Sequence, residues 1–411
     1  MIFLELNEMV SETTYDYYVT KKNVSTTNDK TWLEFNFPGD PNLFLLKNKI
    51  IIKGAIEVHK DFVVENGFVS KLFDTLTVEV NSTSVSYHKA VGDYWLSDYI
   101  YKYGNYNKET INSLCQPEGY FDVWNVDKEV MKTVTESNLG IGFDHRQLKT
   151  NVQHTDTIKY YFAFVPDFGF LRDTKPLVNG CELKLKFDRA KSPISFVEKV
   201  DTEQAFPDYI EIKDCVAQTE WVSSPALRAH FAKIDNAPIE YRFDECQIYL
   251  KNIAQDQKTV RINQIRSGNL PSHIFAGIID SDALNGTVEK SSTDFQCHGV
   301  ERFNISIDGT SVNGYPIKVE NGSPVYPLAK FNDTSDKLSN ISCAGGFTLA
   351  EFTHNFLWSH HFQAEQSSTG WINIDIDFKA PLNDSKTLVI WCISPYTILL
   401  DKFCQIERIA R

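Results

Sequence analysis

Near the C-terminus, Trp371-Ile-Asn-Ile-Asp-Ile-Asp-Phe378 alternates apolar and polar residues, with Ile372, Ile374, Ile376 and Phe378 falling two apart. A period of two fits a strand with one buried face and fits no helix. The pattern recurs along the chain. Leu33, Phe35 and Phe37 share a face; Ile50, Ile52, Gly54, Ile56 and Val58 share another; and in Cys181-Glu-Leu-Lys-Leu-Lys-Phe187 the apolar residues point one way and the charges the other. A strand half-buried in this way must lay its apolar face on a second layer, so a sheet-on-sheet architecture is expected.

Composition agrees. The chain holds 28 Phe and 18 Tyr against 3 Met, and bulky aromatic side chains pack well on a pleated surface. Its 411 residues exceed one ordinary core and suggest two or three domains. Further strands are expected at Leu76–Val80, Ile158–Val165, Tyr209–Lys213, Gln247–Leu250, Thr259–Ile262, Ile274–Ile279, Phe303–Ile307, Leu388–Ile393 and Thr397–Ile409. Between Asp93 and Tyr103 the period changes: Trp95, Leu96, Tyr99, Ile100 and Tyr103 fall at helical spacing behind a candidate Asp93 cap. Ser224-Pro225 starts a second helix, with Ser as N-cap, Pro in the first turn, and Leu227, Phe231 and Ile234 on one face.

The organisation follows from these elements. Residues 1–30, polar and Thr/Asn-rich with Tyr15, Tyr17 and Tyr18, read as an N-terminal arm lying on a surface or reaching a neighbour. Residues 31–195 form a first β unit. Residues 196–208, with a charged run from Glu198 to Glu203 and Pro207, read as a linker, and 209–411 form a second unit. Residues 104–155 and 310–345 read as long loops between strands. The halves echo each other: Leu76-Thr-Val-Glu-Val-Asn-Ser-Thr-Ser-Val85 lines up without gaps on Phe303-Asn-Ile-Ser-Ile-Asp-Gly-Thr-Ser-Val312, and Cys181–Phe187 echoes Ile372–Phe378. With about eight strands per half, the expected fold class is mainly β: two consecutive eight-stranded antiparallel jelly-roll sandwiches, with short helices in the connections.

The chemistry that a site would require is missing from the pattern. Asp280-Ser-Asp282-Ala-Leu-Asn285-Gly286 begins like a calcium loop, but Leu284 holds the third ligand position and no bidentate Glu follows, so a strand-ending turn is expected. His354, His360, His361 and the Cys297-His298 pair lack zinc-finger spacing. Asp375 and Asp377 read as the solvated face of a strand, and Cys343 has no base nearby. Phosphate loops, dinucleotide fingerprints and nucleophile elbows are absent, so no catalytic, cofactor or metal site is expected, and no enzyme. Eight dispersed cysteines without a CxxC pair read as small apolar residues. A net charge of −13 with no basic stripe argues against sequence-specific nucleic-acid binding. Met1–Glu8 lacks a basic n-region and breaks its apolar run at Glu5, and Leu388–Ile393 is too short to span a bilayer, so neither secretion nor a membrane span is expected.

In order along nearly the whole chain, the sequence resembles the double jelly-roll, hexon-like major capsid proteins of the Polinton/Maverick and adintovirus group. The resemblance rests on Gly67–Phe73 with Leu76–Asn81, Asn179–Phe187, Tyr209–Asp214 with Ser224-Pro225, and Ile278–Gly286 followed by Ile305–Gly309. These motifs are structural and transfer no active site. Asn81-Ser82 stands where such proteins often carry Asn-Gly or Asp-Gly. The resemblance implies a homotrimer with a pseudo-hexagonal outline, tiling an icosahedral virion shell beside penton and minor capsid proteins. It would be made in the host cytoplasm and assembled there or in the nucleus. The alternative from another class is a carbohydrate- or cell-surface-binding β-sandwich, motivated by Asn-x-Ser/Thr sites such as Asn23, Asn285 and Asn383. A cupin-like metalloenzyme would need a His/Glu cluster on facing strands.

Overall fold

The computed structural model describes residues 18–25, 27–28, 31–59, 62–85, 90–107, 109–111, 115–119, 151–153, 157–166, 169–191, 196–198, 208–232, 237–287, 290–314, 316–338, 347–349, 351–362, 369–403 and 405–410. The principal strands of its N-terminal half are β1 (Tyr18–Ser25), β2 (Trp32–Phe37), β3 (Ile51–His59), β4 (Phe73–Val80), β5 (Thr157–Phe164), β6 (Leu183–Arg189) and β7 (Ile212–Ser223). They build two antiparallel sheets. One runs β1, β7, β3, β5 and the short strand Asn151–Gln153; the other runs Thr27–Asn28, β2, β6, β4 and Thr83–Ser84. Alternation decides which faces meet: Ile52, Ile56, Tyr160, Phe162 and Phe164 from the first sheet close on Leu33, Phe35, Val78, Leu185 and Phe187 from the second. Gly54 interrupts the apolar face of β3 for a steric reason. It lies opposite Phe162, whose ring would sit 2.6 Å from a Cβ there.

The second sandwich contains β8 (Ile239–Ile253), β9 (Thr259–Asn269), β10 (His273–Asp280), β11 (Val300–Ile307), β12 (Leu357–His361), β13 (Thr369–Phe378), β14 (Lys386–Leu400) and β15 (Ile406–Ala410). One sheet runs β8, β14, β10 and β12, with β15 on β14; the other runs β9, β13, β11 and Thr310–Ser311, with Ile317–Lys318 also on β11. Every strand pair named here is antiparallel. The fold is therefore mainly β, four antiparallel sheets forming two sandwiches with short helices between strands. The apolar run Leu388–Ile393 and the expected terminal strand prove continuous as far as Leu400, buried on both faces except at Pro395 and Leu399.

Helix α1 (Asp93–Asn105) stands where the helical spacing predicts, but Asp93 does not cap it. Gly92, with φ +82°, precedes the first turn, and the Asp93 carboxylate accepts a hydrogen bond from the Ala90 amide at 2.7 Å. In α2 (Pro225–Phe231), Ser224 and Pro225 take the expected positions, although the Ser224 side chain makes no capping bond. Ile234 lies outside the described residues. Two more helices follow, α3 (Ser281–Asn285) and α4 (Val325–Leu338).

The structure adds to or alters four expectations about organisation. Within the expected arm, β1 pairs along its whole length with β7, from Tyr18 opposite Ser223 to Ser25 opposite Val216. Residues 1–17 lie outside the described residues. The strand expected to open the second unit, β7, hydrogen-bonds between β1 and β3 in the first sandwich, and α2 behind it stacks Phe231 on Phe44 at 5.0 Å. Inside the expected linker, Phe196–Glu198 pairs with Phe62–Val64. Strand pairing is nonlocal, so alternation around Ile210 does not reveal which sheet receives the strand. Finally, the expected loop 310–345 contains α4, whose buried face is only Pro327, Phe331, Thr334 and Ser335. Half of that face is hydroxyl side chains, too weak an apolar signal to register as helical periodicity.

Candidate functional site

Where the two sandwiches meet, the packing is organised around α1. A helix with a single apolar stripe would lie on a surface, but all thirteen residues of α1 are buried. Tyr94 packs edge-on against Phe73 and Phe187 of the first sandwich, at 6.0 and 5.5 Å between ring centres. A turn further on, the partners belong to the second sandwich. Trp391 donates from Nε1 to the Leu96 carbonyl at 2.9 Å, the Tyr99 hydroxyl donates to Asn355 Oδ1 at 2.7 Å, and the Tyr101 hydroxyl donates to the Asp244 carbonyl at 3.2 Å. The Tyr99 ring lies 5.4 Å from Phe295, and Tyr103 stacks on Phe347 at 4.9 Å. The aromatic spacing that announced a helix is thus the spacing of a strut with a partner on each side.

Buried charges fasten the same seam. Glu65 and Lys71 of the first sandwich form an ion pair at 3.0 Å, with both side chains at most 5% exposed. Lys71 donates to Thr293 Oγ1 at 3.0 Å, and Ser291 Oγ donates to Glu65, both from the second sandwich. Lys47 is fully buried against Asp173 at 3.3 Å, with its ammonium 4.7 Å from the centre of the Phe170 ring and 4.6 Å from that of Tyr241. Burial pulls its pKa down to about 8, and Asp173 opposes that shift. Separating the halves would take from these buried charges the Thr293 and Ser291 hydroxyls and the Tyr241 ring that the second sandwich supplies, so each pair also specifies how the halves sit together. Sequence reading missed these groups because a lysine bound for burial looks like any surface lysine.

The residues weighed as chemical candidates fall in four places. Asp280 ends β10 before α3, where the sequence suggested a turn; its carboxylate pairs with Lys290 at 3.1 Å and with Lys386. Burial pushes its pKa up, but the two lysines outweigh burial and hold it below the usual range. A cleft of about 310 Å³ brings Asp280 together with Lys290, Asp294, His298 and Asp384. His354 joins through Asp294, 3.1 Å away, so two sets that the sequence kept apart are neighbours. Burial, followed by Lys386, pushes the His298 pKa down to about 4. Lysines occupy the acidic side of this cleft, and among the described residues no cluster of three His, Cys, Asp or Glu could hold a metal.

Asp282 lies in the first turn of α3, and Cys297 is a half-buried free thiol whose pKa burial raises. On the outer face of β13, Asp377 pairs with Arg302 of β11, and Asp375 accepts from Asn304 at 3.4 Å, as expected of a solvated strand face. His360 and His361 end β12, away from the cleft. Cys343 lies outside the described residues. An open groove of about 690 Å³ runs past Arg302, Ile317, Lys318, Glu320, Val325 and Tyr326. Among the described residues no helix is long and apolar enough to cross a membrane.

Two jelly-roll sandwiches joined in one chain define the double jelly-roll capsid-protein fold. No family model matches the chain. A chain of the Sputnik virophage superposes with a TM-score of 0.65 at 12% identity, over 96% of this chain and 88% of that one. VP54 of PBCV-1 gives 0.58 at 10% identity, over 97% and 99% of the two chains, and the mavirus major capsid protein gives 0.54 at 11% identity, over 95% and 90%. In sequence, an uncharacterized protein of Caenorhabditis elegans is 21% identical over 310 residues, spanning 72% of this chain and 68% of that protein.

Proposed function

We infer that this chain is the major capsid protein of a virus or virus-like element, a structural subunit and not an enzyme. The reading rests on one observation: the likeness to capsid proteins extends over both sandwiches and the seam between them, and takes in 94–97% of the chain. On this reading the chain self-assembles as a homotrimer with a pseudo-hexagonal outline, and the trimers tile an icosahedral shell with penton and minor proteins at its special positions. The resemblance of the motifs from Gly67 to Gly309 supports membership of the Polinton/Maverick and adintovirus group, and a relative in a nematode suits an element carried by animals. The unit boundary belongs at residues 232–238, after α2, because β7 and α2 both pack in the first sandwich. The buried seam supports the reading physically: a shell subunit must transmit load without its halves rotating. Light scattering coupled to size-exclusion chromatography should give three times the 47.0 kDa chain mass, and electron microscopy should show six-cornered particles. A monomer at all micromolar concentrations would overturn the proposal.

A further inference from the structure

At one edge of the second sandwich, His273 opens β10 and lies directly opposite His361, the last residue of β12. Their rings are 4.5 Å apart and tilted by 36°. His273 is 6% exposed, and on its other flank it faces apolar Ile393 of β14. His273 Nδ1 shares a 2.9 Å contact with Ser272 Oγ, and the backbones of Lys337 and Ser272 approach His273 and His361 respectively and favour their protonated forms, against the burial that disfavours them. His360, beside them on β12, packs its ring against Phe362 at 4.7 Å. Helix α4 closes over this edge and presents Lys330, Asp333 and Lys337 to the histidines.

Two adjacent imidazoles, one of them deeply buried, can both be neutral here but cannot both be charged cheaply. Of the charged side chains on α4, Asp333 acts on His360 and His361 against Lys330 and Lys337. What a proton would act on lies at a sheet edge. Strand β12 has five residues, terminates its sheet, and among the described residues pairs only with β10; its Leu357 and Trp358 are fully buried, with Trp358 stacked on Phe303 at 4.3 Å, whereas His360 and His361 at its end are half-buried. Helix α4 meets the sandwich through Phe331, which lies 5.7 Å from Phe275 and also packs against Phe347 and Phe352. An edge element of this kind can open without global unfolding.

We propose that β12 and α4 form an acid-released strap: protonation of His273 and His361, with His360 beside them, frees this edge from the second sandwich while β14 and the seam at α1 stay folded. The proposal concerns this edge alone and does not depend on the capsid reading.

Burial and the neighbouring His361 push the His273 pKa down to about 3, burial and Lys330 push that of His360 to about 4, and burial lowers that of His361. The sign follows from linkage. Above the ordinary histidine value of about 6.5, closed and open edges bind no protons and pH has no effect. Below it the open edge binds protons that the closed edge refuses, so opening grows as pH falls toward the depressed values. At about pH 5.5 His273 and His360, held well below that value when closed, each multiply the opening equilibrium by about tenfold, and His361 acts in the same direction.

Hydrogen exchange on the full chain at about pH 7 and pH 5.5, corrected for intrinsic rates, reads this by mass spectrometry. Peptides covering Val325–Leu338 and Leu357–His361 should lose protection by the product of these factors at the lower pH, while Leu388–Ile393 keeps its own. The triple variant His273→Asn with His360→Gln and His361→Gln should remove the response. Equal protection of the strap at both pH values, or an acid response that survives in the variant, would overturn the proposal. Should the variant not fold, ring-carbon NMR of the wild-type histidines decides. Rings that stay neutral until the strap opens support it, and titration of His273 near 6.5 in the closed state refutes it.

Discussion

Replacing Tyr99 by Phe tests whether α1 ties the sandwiches together. The substitution removes one oxygen and leaves the ring, so no cavity complicates the result. The hydroxyl donates to Asn355 Oδ1 at 2.7 Å, both residues are at most 2% exposed, and Asn355 Nδ2 keeps its bond to the Glu351 carbonyl. The variant therefore leaves one buried amide oxygen without its tyrosine donor, at a cost of about 1–3 kcal/mol. Tyr101→Phe is the control. It loses a longer bond, 3.2 Å, to the Asp244 carbonyl, and should cost about 0.5–1 kcal/mol. Denaturant unfolding followed by tryptophan fluorescence suits the measurement, since Trp391 lies 6.3 Å from the Tyr99 ring. The Tyr99 variant should unfold earlier and less cooperatively, because the lost bond joins the two halves. A Tyr99→Phe protein within about 0.3 kcal/mol of wild type, with one equally sharp transition, would refute the strut.

Gly54→Ala should destabilise the first sandwich by about 1–3 kcal/mol in the same assay, since the new methyl must displace the Phe162 ring. Ser82→Gly should raise the melting temperature slightly, worth about 0.5–1 kcal/mol, because Ser82 is held at φ +64°. Lys386→Met should weaken the protein above about pH 4 and leave its acid stability nearly unchanged. The Asp280 pKa is held low, so its contribution exists above the unfolded carboxylate value of about 3.9 and is lost as pH falls. A pH–stability series on both proteins reads the difference, and parallel curves would show that Lys386 contributes nothing to the Asp280 carboxylate.

The strands were legible because burial on one face imposes a period of two, and β6 and β13 carry it almost without exception. What those strands pair with was not. The alternation of β7 would satisfy either sandwich, and only the row of amides on β1 and β3 decides. For α1 the aromatic spacing gave the helix but not its surroundings: Asp93, Asp98, Lys102 and Asn105 look like a solvated face yet are all buried. Lys102 is matched by Glu118, 2.6 Å away, a partner sixteen residues along that no local pattern announces. Missing motifs led only to the expectation of no site, whereas the cleft joining Asp280 to His298 and Asp294 required the fold.

The echo between the halves becomes more specific in three dimensions. Asn81 and Ser82 have φ of +48° and +64°, Asp308 and Gly309 of +49° and +85°, and each pair closes a two-residue hairpin, the signature of a type I′ turn. Asn81-Ser82 thus adopts the turn that Asp308-Gly309 adopts, with serine bearing the strain that glycine avoids. The Asn81 amide donates to the Glu182 carbonyl as the Asp308 amide does to that of Trp371, and Asn81 Oδ1 accepts from Glu182 as Asp308 Oδ1 does from Trp371. On the neighbouring strand, Leu185 lies opposite Val78 and Ile374 opposite Ile305. The gapless echo matched Leu185 to Ile376, so the true equivalence is displaced by two residues. A slip of two keeps every side chain on its own face, whereas a slip of one would expose Ile374 and bury Asp375. The two corners therefore share an asparagine or aspartate that clamps the adjacent strand through its side chain and backbone. Asn81 and Asp308 are the positions at which the duplicated plan is fixed.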